Sequence, residues 1–150
     1  MAVTMNQVLA EIDRDEPDYK VLSALGADAL THLAQIAEAD DPLRAAKAAY
    51  AASLIGGLES IDLLKKAANH RDPQVRVALA HGLRSSADPS IEVLDHLLDD
   101  ADVGVRKVAL NAAGSLGKSE LRGKVQAIAK SDPHDFLREA ATNIVKLIKK

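Results

Sequence analysis

The sequence predicts an all-α protein built as a right-handed α-α superhelix, a solenoid of about five two-helix repeats. Three observations carry that expectation. The first is an internal repeat. "DDPLRAA" at 40–46 is followed by "DPQVRVA" at 72–78, "DVGVRKV" at 102–108 and "HDFLREA" at 134–140. Arg44, Arg76, Arg106 and Arg138 are spaced by 32, 30 and 32 residues, and a weaker copy, "EPDYKVL", puts Lys20 24 residues before Arg44. A period near 30 is the mark of stacked repeats. The second observation is punctuation: Asp-Pro steps recur where helices can start, and glycines recur where they can stop. The third is composition. There is no Trp, one Phe and two Tyr, so the core must be Ala, Leu, Val and Ile. Side chains that small favour closely packed helices over a sheet, and Ala is the strongest helix former.

The signals divide the chain into ten helices. Thr4 and Gln7 have capping-box spacing and open the first, 4–14. The second, 17–25, carries Lys20, and the third spans 27–39. Asp41-Pro42 starts the fourth, 42–55, because an Asp accepts free first-turn N–H groups and a proline there loses no hydrogen bond. Gly56-Gly57 stops it. The fifth is 58–69. Asp72-Pro73 opens the sixth, 73–84, which ends at the break "SSADP". Asp88-Pro89 opens the seventh, 89–99, with an apolar stripe of Ile91, Leu94, Leu97 and Leu98. The eighth, 103–116, runs from the cap Asp102 to the stop Gly117. Ser119 caps the ninth, 119–130. Asp132-Pro133 precedes the tenth, 134–149, whose stripe is Phe136, Leu137, Ala140, Ala141, Ile144, Val145 and Ile148, with Leu147 off it. Links of two to six residues make neighbours antiparallel. No helix can bury its apolar side alone, so stacked pairs must share a core.

Composition also narrows function. Without cysteine there is no disulfide framework, thiolate zinc site or cysteine nucleophile. The acidic start "MAVTMNQVLAEIDRDEPD" lacks a basic end followed by an apolar run, so no signal peptide is expected. No stretch has the roughly 20 apolar residues of a membrane span, and a cytoplasmic location is expected. A formal net charge of −3 speaks against a general nucleic-acid binder.

The column D-P-x-[VL]-R followed by alanines resembles the HEAT repeat, and most of all the phycobilisome-lyase HEAT-like variety. The resemblance covers about 15–149 and reads the chain as one domain, 1–150, with repeats at about 4–25, 27–55, 58–84, 89–116 and 119–149. It implies that the second helix of each repeat, 17–25, 42–55, 73–84, 103–116 and 134–149, lines a concave side. It also implies a ladder of charge-assisted hydrogen bonds, in which Glu16, Asp40, Asp72 and Asp102 face Lys20, Arg44, Arg76 and Arg106, with Arg138 in the same column. The last copy has two extra residues between Asp132 and Arg138, so a different turn is expected there.

Other chemical patterns have plainer readings. "AAGSLGKS" at 112–119 has Ala112 where a phosphate-binding loop needs its first glycine, and it lies in helix; Gly117 and Ser119 read as a stop and a cap. "DDADVG" at 99–104 places Val105 and Asn111 where a calcium loop needs Gly and Glu. His32, His70, His81, His96 and His134 include no pair three or four apart on one helix, so no metal site is expected. No His-Glu pair is present, unlike the di-iron hydroxylases that resemble HEAT proteins, and three aromatics are too few for a base-gripping glycosylase. No cofactor is expected.

Positions one, five and eight after the basic column escape the apolar stripe. They hold Val21; Ala45, Ala49 and Ala52; Val77, His81 and Arg84; Lys107, Asn111 and Gly114; and Glu139, Asn143 and Lys146. Tyr50 is expected at the rim. The expectation is therefore a non-catalytic scaffold or adaptor that binds another protein or peptide on this face, with an alanine-rich half and a basic, polar half. Tyr50 and Arg84 are of the types enriched at binding hot spots. The phycobilisome-lyase likeness implies an alternative, an accessory subunit or regulator of an enzyme such as a bilin lyase.

Overall fold

A computed structural model describes residues 2–148. Among them the chain forms ten α-helices and no strand: α1 Met5–Ile12, α2 Tyr19–Ala24, α3 Leu30–Glu38, α4 Pro42–Ile55, α5 Ile61–Ala68, α6 Pro73–Ser85, α7 Ile91–Leu98, α8 Val103–Leu116, α9 Arg122–Ser131 and α10 Asp135–Val145. The last helix stops at Val145, short of the expected 149, which itself lies outside the described residues. Short 3-10 turns at Gly26–Ala29, Leu58–Ser60 and Ser119–Leu121 lead into α3, α5 and α9.

Local chemistry explains the starts. Gln7 N–H donates to Thr4 Oγ1 at 3.2 Å and Thr4 N–H donates to Gln7 Oε1 at 2.8 Å, a complete capping box. Asp41, Asp72 and Asp102 each accept first-turn N–H groups of α4, α6 and α8. Two Asp-Pro steps behave differently. Ser90, not Asp88, caps α7, and His134 stands at the α10 N-cap without a side-chain bond. In both, the proline precedes the cap instead of opening the helix.

The helices stack in two layers, the α-α solenoid the sequence predicts. Helices α3, α5, α7 and α9 form the first layer; α4, α6, α8 and α10 form the second, and α2 packs on α4. The core between them is built of aliphatic side chains, and Leu33, Leu64, Leu79, Leu83, Leu94, Leu97, Leu110 and Leu137 are fully enclosed. Phe136, expected in the buried stripe of the last helix, is instead 51% exposed and tilts against the His134 ring. It is the second residue of α10, next to buried Leu137.

The alanines of α4 let it approach α6 closely. Ser53 is buried and donates to Tyr50 O at 2.6 Å, and a Cβ placed on Gly82 of α6 falls 1.6 Å from Ser53 Oγ. A second close approach lies at the end of α4. Gly56 adopts φ 63°, ψ −159°, a conformation essentially restricted to glycine, and a Cβ there would meet Asp88 O at 2.7 Å. Gly56→Ala is expected to lower stability by about 2 kcal/mol through strain and this clash. Urea unfolding followed by circular dichroism measures it; an unchanged midpoint would contradict the contact.

Candidate binding face

The turns between layers carry the ion-pair ladder, with different acids from those expected. Arg76 Nε and Nη2 donate to Asp100 Oδ2 and Oδ1 at 2.8 and 3.1 Å. Arg106 Nε and Nη2 donate to Asp132 at 2.8 and 3.4 Å, and its Nη1 reaches Asp100 O at 2.9 Å. These rungs are enclosed: the side chains are 15% and 7% exposed in the first pair, 12% and 4% in the second. Burial pushes the Asp132 carboxyl up, but the Arg106 hydrogen bond, the His134 N–H and the charges of both residues outweigh it. The net result holds the carboxyl below its ordinary range.

Asp72 and Asp102, expected to face Arg76 and Arg106, cap helices instead, and Asp40 is bonded to Arg71 at 3.3 Å on the open surface. An Asp four residues before an arginine is at the N-cap, where its oxygens are taken by N–H groups of its own helix. The pairing acid lies six residues before the next arginine and is offered to the preceding one. Asp100 precedes Arg106 and Asp132 precedes Arg138 by that interval, a signal present in the sequence. The final turn therefore keeps the common layout: Asp132 Oδ1 accepts His134 N–H at 2.9 Å, as Asp100 Oδ1 accepts Asp102 N–H at 2.9 Å.

Arg44 stands apart. It makes a bidentate bond to Asp13 at 2.8 and 2.7 Å, pointing back to the α1–α2 turn. Val75, Val105 and Leu137, which precede the other arginines, are fully buried, whereas Leu43 is 65% exposed and Ala45 is buried. The helical register therefore sets Ala46, not Arg44, beside Arg76. The cap accounts for one residue of that shift, about 100° of helix turn, because Asp41 precedes Arg44 by three residues where Asp72 precedes Arg76 by four. Opposite Ala46 the acid is missing too. His70 occupies its place, with Nδ1 accepting Asp72 N–H at 3.0 Å. A lone enclosed carboxylate there would be costly, and both halves of the rung are absent together.

The same slip closes the alanine-rich half of the expected groove. Ala45, Ala49 and Ala52 are fully buried. They share a register with Val75, Leu79 and Gly82, and a two-residue slip turns a helix by about 200°, exchanging its covered and open sides. Tyr50 is half-buried with its ring 4.6 Å from that of Tyr19, so it fastens α2 to α4. Burial, then the neighbouring Tyr50, raises the Tyr19 hydroxyl above its ordinary value.

The second half is open. On α6, His81 and Arg84 are exposed and Val77 is half-buried against the core; on α8, Lys107 and Asn111 are exposed; on α10, Glu139 and Asn143 are exposed, as is Lys146 at its C-cap. Helical spacing and the packing of α6 on α8 and α8 on α10 place these residues on one surface. Arg84 Nε donates to Ser115 Oγ at 3.0 Å and crosses from α6 to α8. Its partner is neutral. Lys107 and Lys146 make no ion pair among the described residues.

The first layer contrasts with this. Lys65 pairs with Glu92 at 3.2 Å, Lys66 with Glu38 at 3.1 Å, and Lys124 with Asp95 and Asp99, each across neighbouring helices. Shallow clefts there include one of about 230 Å³ lined by Lys65, Asn69, Glu92 and His96. No group of three or more metal-ligating side chains gathers among the described residues, and no helix there is long and apolar enough to cross a membrane.

A comparison with the curated proteins finds no match. A family model described as HEAT repeats matches residues 61–145, more than half of the chain. The matched span runs from α5 to α10 and contains both enclosed arginine–aspartate rungs, while the slipped helix α4 lies outside it. With two layers of paired helices stacked over an aliphatic core, the chain belongs to the HEAT repeat family.

Proposed function

We propose that this protein is a non-catalytic scaffold that binds another protein through the open face of α6, α8 and α10, the inner side in HEAT-like stacking. HEAT repeats are commonly protein-interaction scaffolds. The observation that carries the choice of face is the charge arrangement. In the first layer Lys65, Lys66 and Lys124 are paired with acids across helices and Lys130 is not, whereas on this face none of Arg84, Lys107 and Lys146 has an acid within salt-bridge reach among the described residues. Isolated cations on one rigid face are available to a partner, and Arg is among the residues enriched at hot spots.

Capture from a lysate tests the face. Arg84→Glu and Lys107→Glu are each expected to weaken retention of a specific protein several-fold, with melting unchanged because both side chains are exposed. Undiminished retention in both variants would remove this face. The finer likeness to the phycobilisome-lyase variety supports a rival reading, an accessory role in bilin chemistry. A tetrapyrrole carried through purification would favour that role over the scaffold.

A further inference from the structure

We infer that the partner presents an acidic, extended segment that lies across α6, α8 and α10. This rests on the proposed face and adds the chemistry of its ligand. The patch formed by Val77, His81, Arg84, Lys107, Asn111, Gly114, Glu139, Asn143 and Lys146 holds three cations and one acid, on a chain of formal net charge −3. Charge is thus segregated, and the segregated cations have no acidic partner among the described residues.

The geometry sets the length of the ligand. Arg84, Gly114 and Lys146 are equivalent positions of successive second helices. Neighbouring packed helices lie about 8–10 Å apart, so Arg84 and Lys146 are separated by roughly 20 Å. An extended chain covers that distance in about six residues. Between them Gly114 packs against α10, where a Cβ would meet side-chain carbons of buried Ile144 at 3.4 Å. Lys107 lies seven residues earlier on α8, about 10 Å to one side of the row. Acids about three residues apart therefore meet the two ends of the row and, between them, a longer Glu turning toward Lys107.

Other ligands fit less well. The exposed large apolar residues, Val21, Leu43, Leu58, Phe136 and Leu147, all lie outside the patch. An apolar helix would find no anchor other than half-buried Val77. Phosphates would meet the same cations, but the patch has no aromatic side chain on which bases can stack.

Fluorescence anisotropy with the full chain and a labelled peptide of about 12 residues, Glu at every third position, tests the inference. The Glu peptide is expected to bind at least about tenfold more tightly than the same peptide with Gln, and to weaken with salt. The combined variant Arg84→Glu, Lys107→Glu, Lys146→Glu should lose that advantage without a change in melting. Equal binding of the Glu and Gln peptides, or an advantage kept by the variant, overturns the acidic class. Amide chemical-shift mapping separates the two levels of the proposal. If a non-acidic peptide shifts α6, α8 and α10 while the Glu peptide does not, the acidic class fails and the face stands. If the Glu peptide shifts first-layer helices instead, both fail. An oligothymidylate that binds the same amides as tightly overturns the commitment to a peptide.

Discussion

Arg106→Met is expected to cost about 3 kcal/mol of stability at neutral pH. That value is at the low end for breaking a buried pair, because one edge of the guanidinium still meets solvent. The methionine keeps the aliphatic stem but removes both hydrogen bonds to Asp132 and those to Asp100 O and Ala101 O. The Asp132 side chain, 4% exposed, is left charged with the His134 N–H as its main compensation. For a chain of this length the melting temperature should fall by roughly 6–12 °C.

The pH dependence gives a second readout. In the unaltered protein the Asp132 carboxyl is held below its ordinary value. Its contribution is therefore complete above the unfolded value of about 3.9 and is lost as pH falls through the lower folded value. In the variant, burial acts without the arginine and raises the carboxyl. Mild acidification then protonates the stranded group and relieves the penalty. The stability difference between the two proteins, from urea unfolding, should shrink between pH 7 and pH about 4. A difference that stays constant would show that the rung is not the source. Replacing both residues by Met should recover much of the loss, because no charge is then buried alone.

The second large effect is expected at Gly82→Ala. Alanine is the better helix former by about 1 kcal/mol, so an isolated helix would gain. Here the added carbon lies 1.6 Å from Ser53 Oγ, 2.9 Å from Ser53 Cβ and 3.0 Å from Tyr50 O. The serine oxygen can rotate away, but the backbone oxygen moves only if α4 and α6 separate. Overpacking of this kind costs about 1–3 kcal/mol or more, and the net loss should be near 2 kcal/mol with a drop of several degrees in melting. Ser53→Gly in the same chain removes two of the three close atoms and should restore part of the loss. The coupling is read from the four proteins of a double-mutant cycle. Strict additivity would mean the two helices do not meet there.

Helix positions were legible because their signals are local. The expected 42–55 and 103–116 coincide with α4 and α8, whose Asp caps and glycine stops sit in adjacent residues. Phe136 was misplaced because periodicity cannot tell which member of an adjacent apolar pair faces the core. The ladder was half legible. Its arginines stood out by their period, but the acids chosen for them lie four residues before them, where Asp72 and Asp102 cap helices and Asp40 meets Arg71. Asp100 and Asp132 are 24 and 26 residues from their arginines. Arg84, Lys107, Asn111 and Lys146 are exposed as the spacing implied, in helices where the interval from N-cap to arginine is constant at four. For Ala45, Ala49 and Ala52 the reading inverted the helix.

The sequence by itself determined the fold class, the number and order of helices, the aliphatic core and the exposure of Arg84, Lys107 and Lys146. Caps, stops and apolar spacing act within a few residues, so a one-dimensional reading reaches them. Only the tertiary structure decided which acid meets which arginine, that Gly82 and Ser53 touch, and that the alanine side of α4 is covered. Those outcomes depend on the angle at which each helix lies against its neighbours. One residue gained or lost before a helix changes that angle by about 100° while leaving the composition and the repeat period almost unaltered.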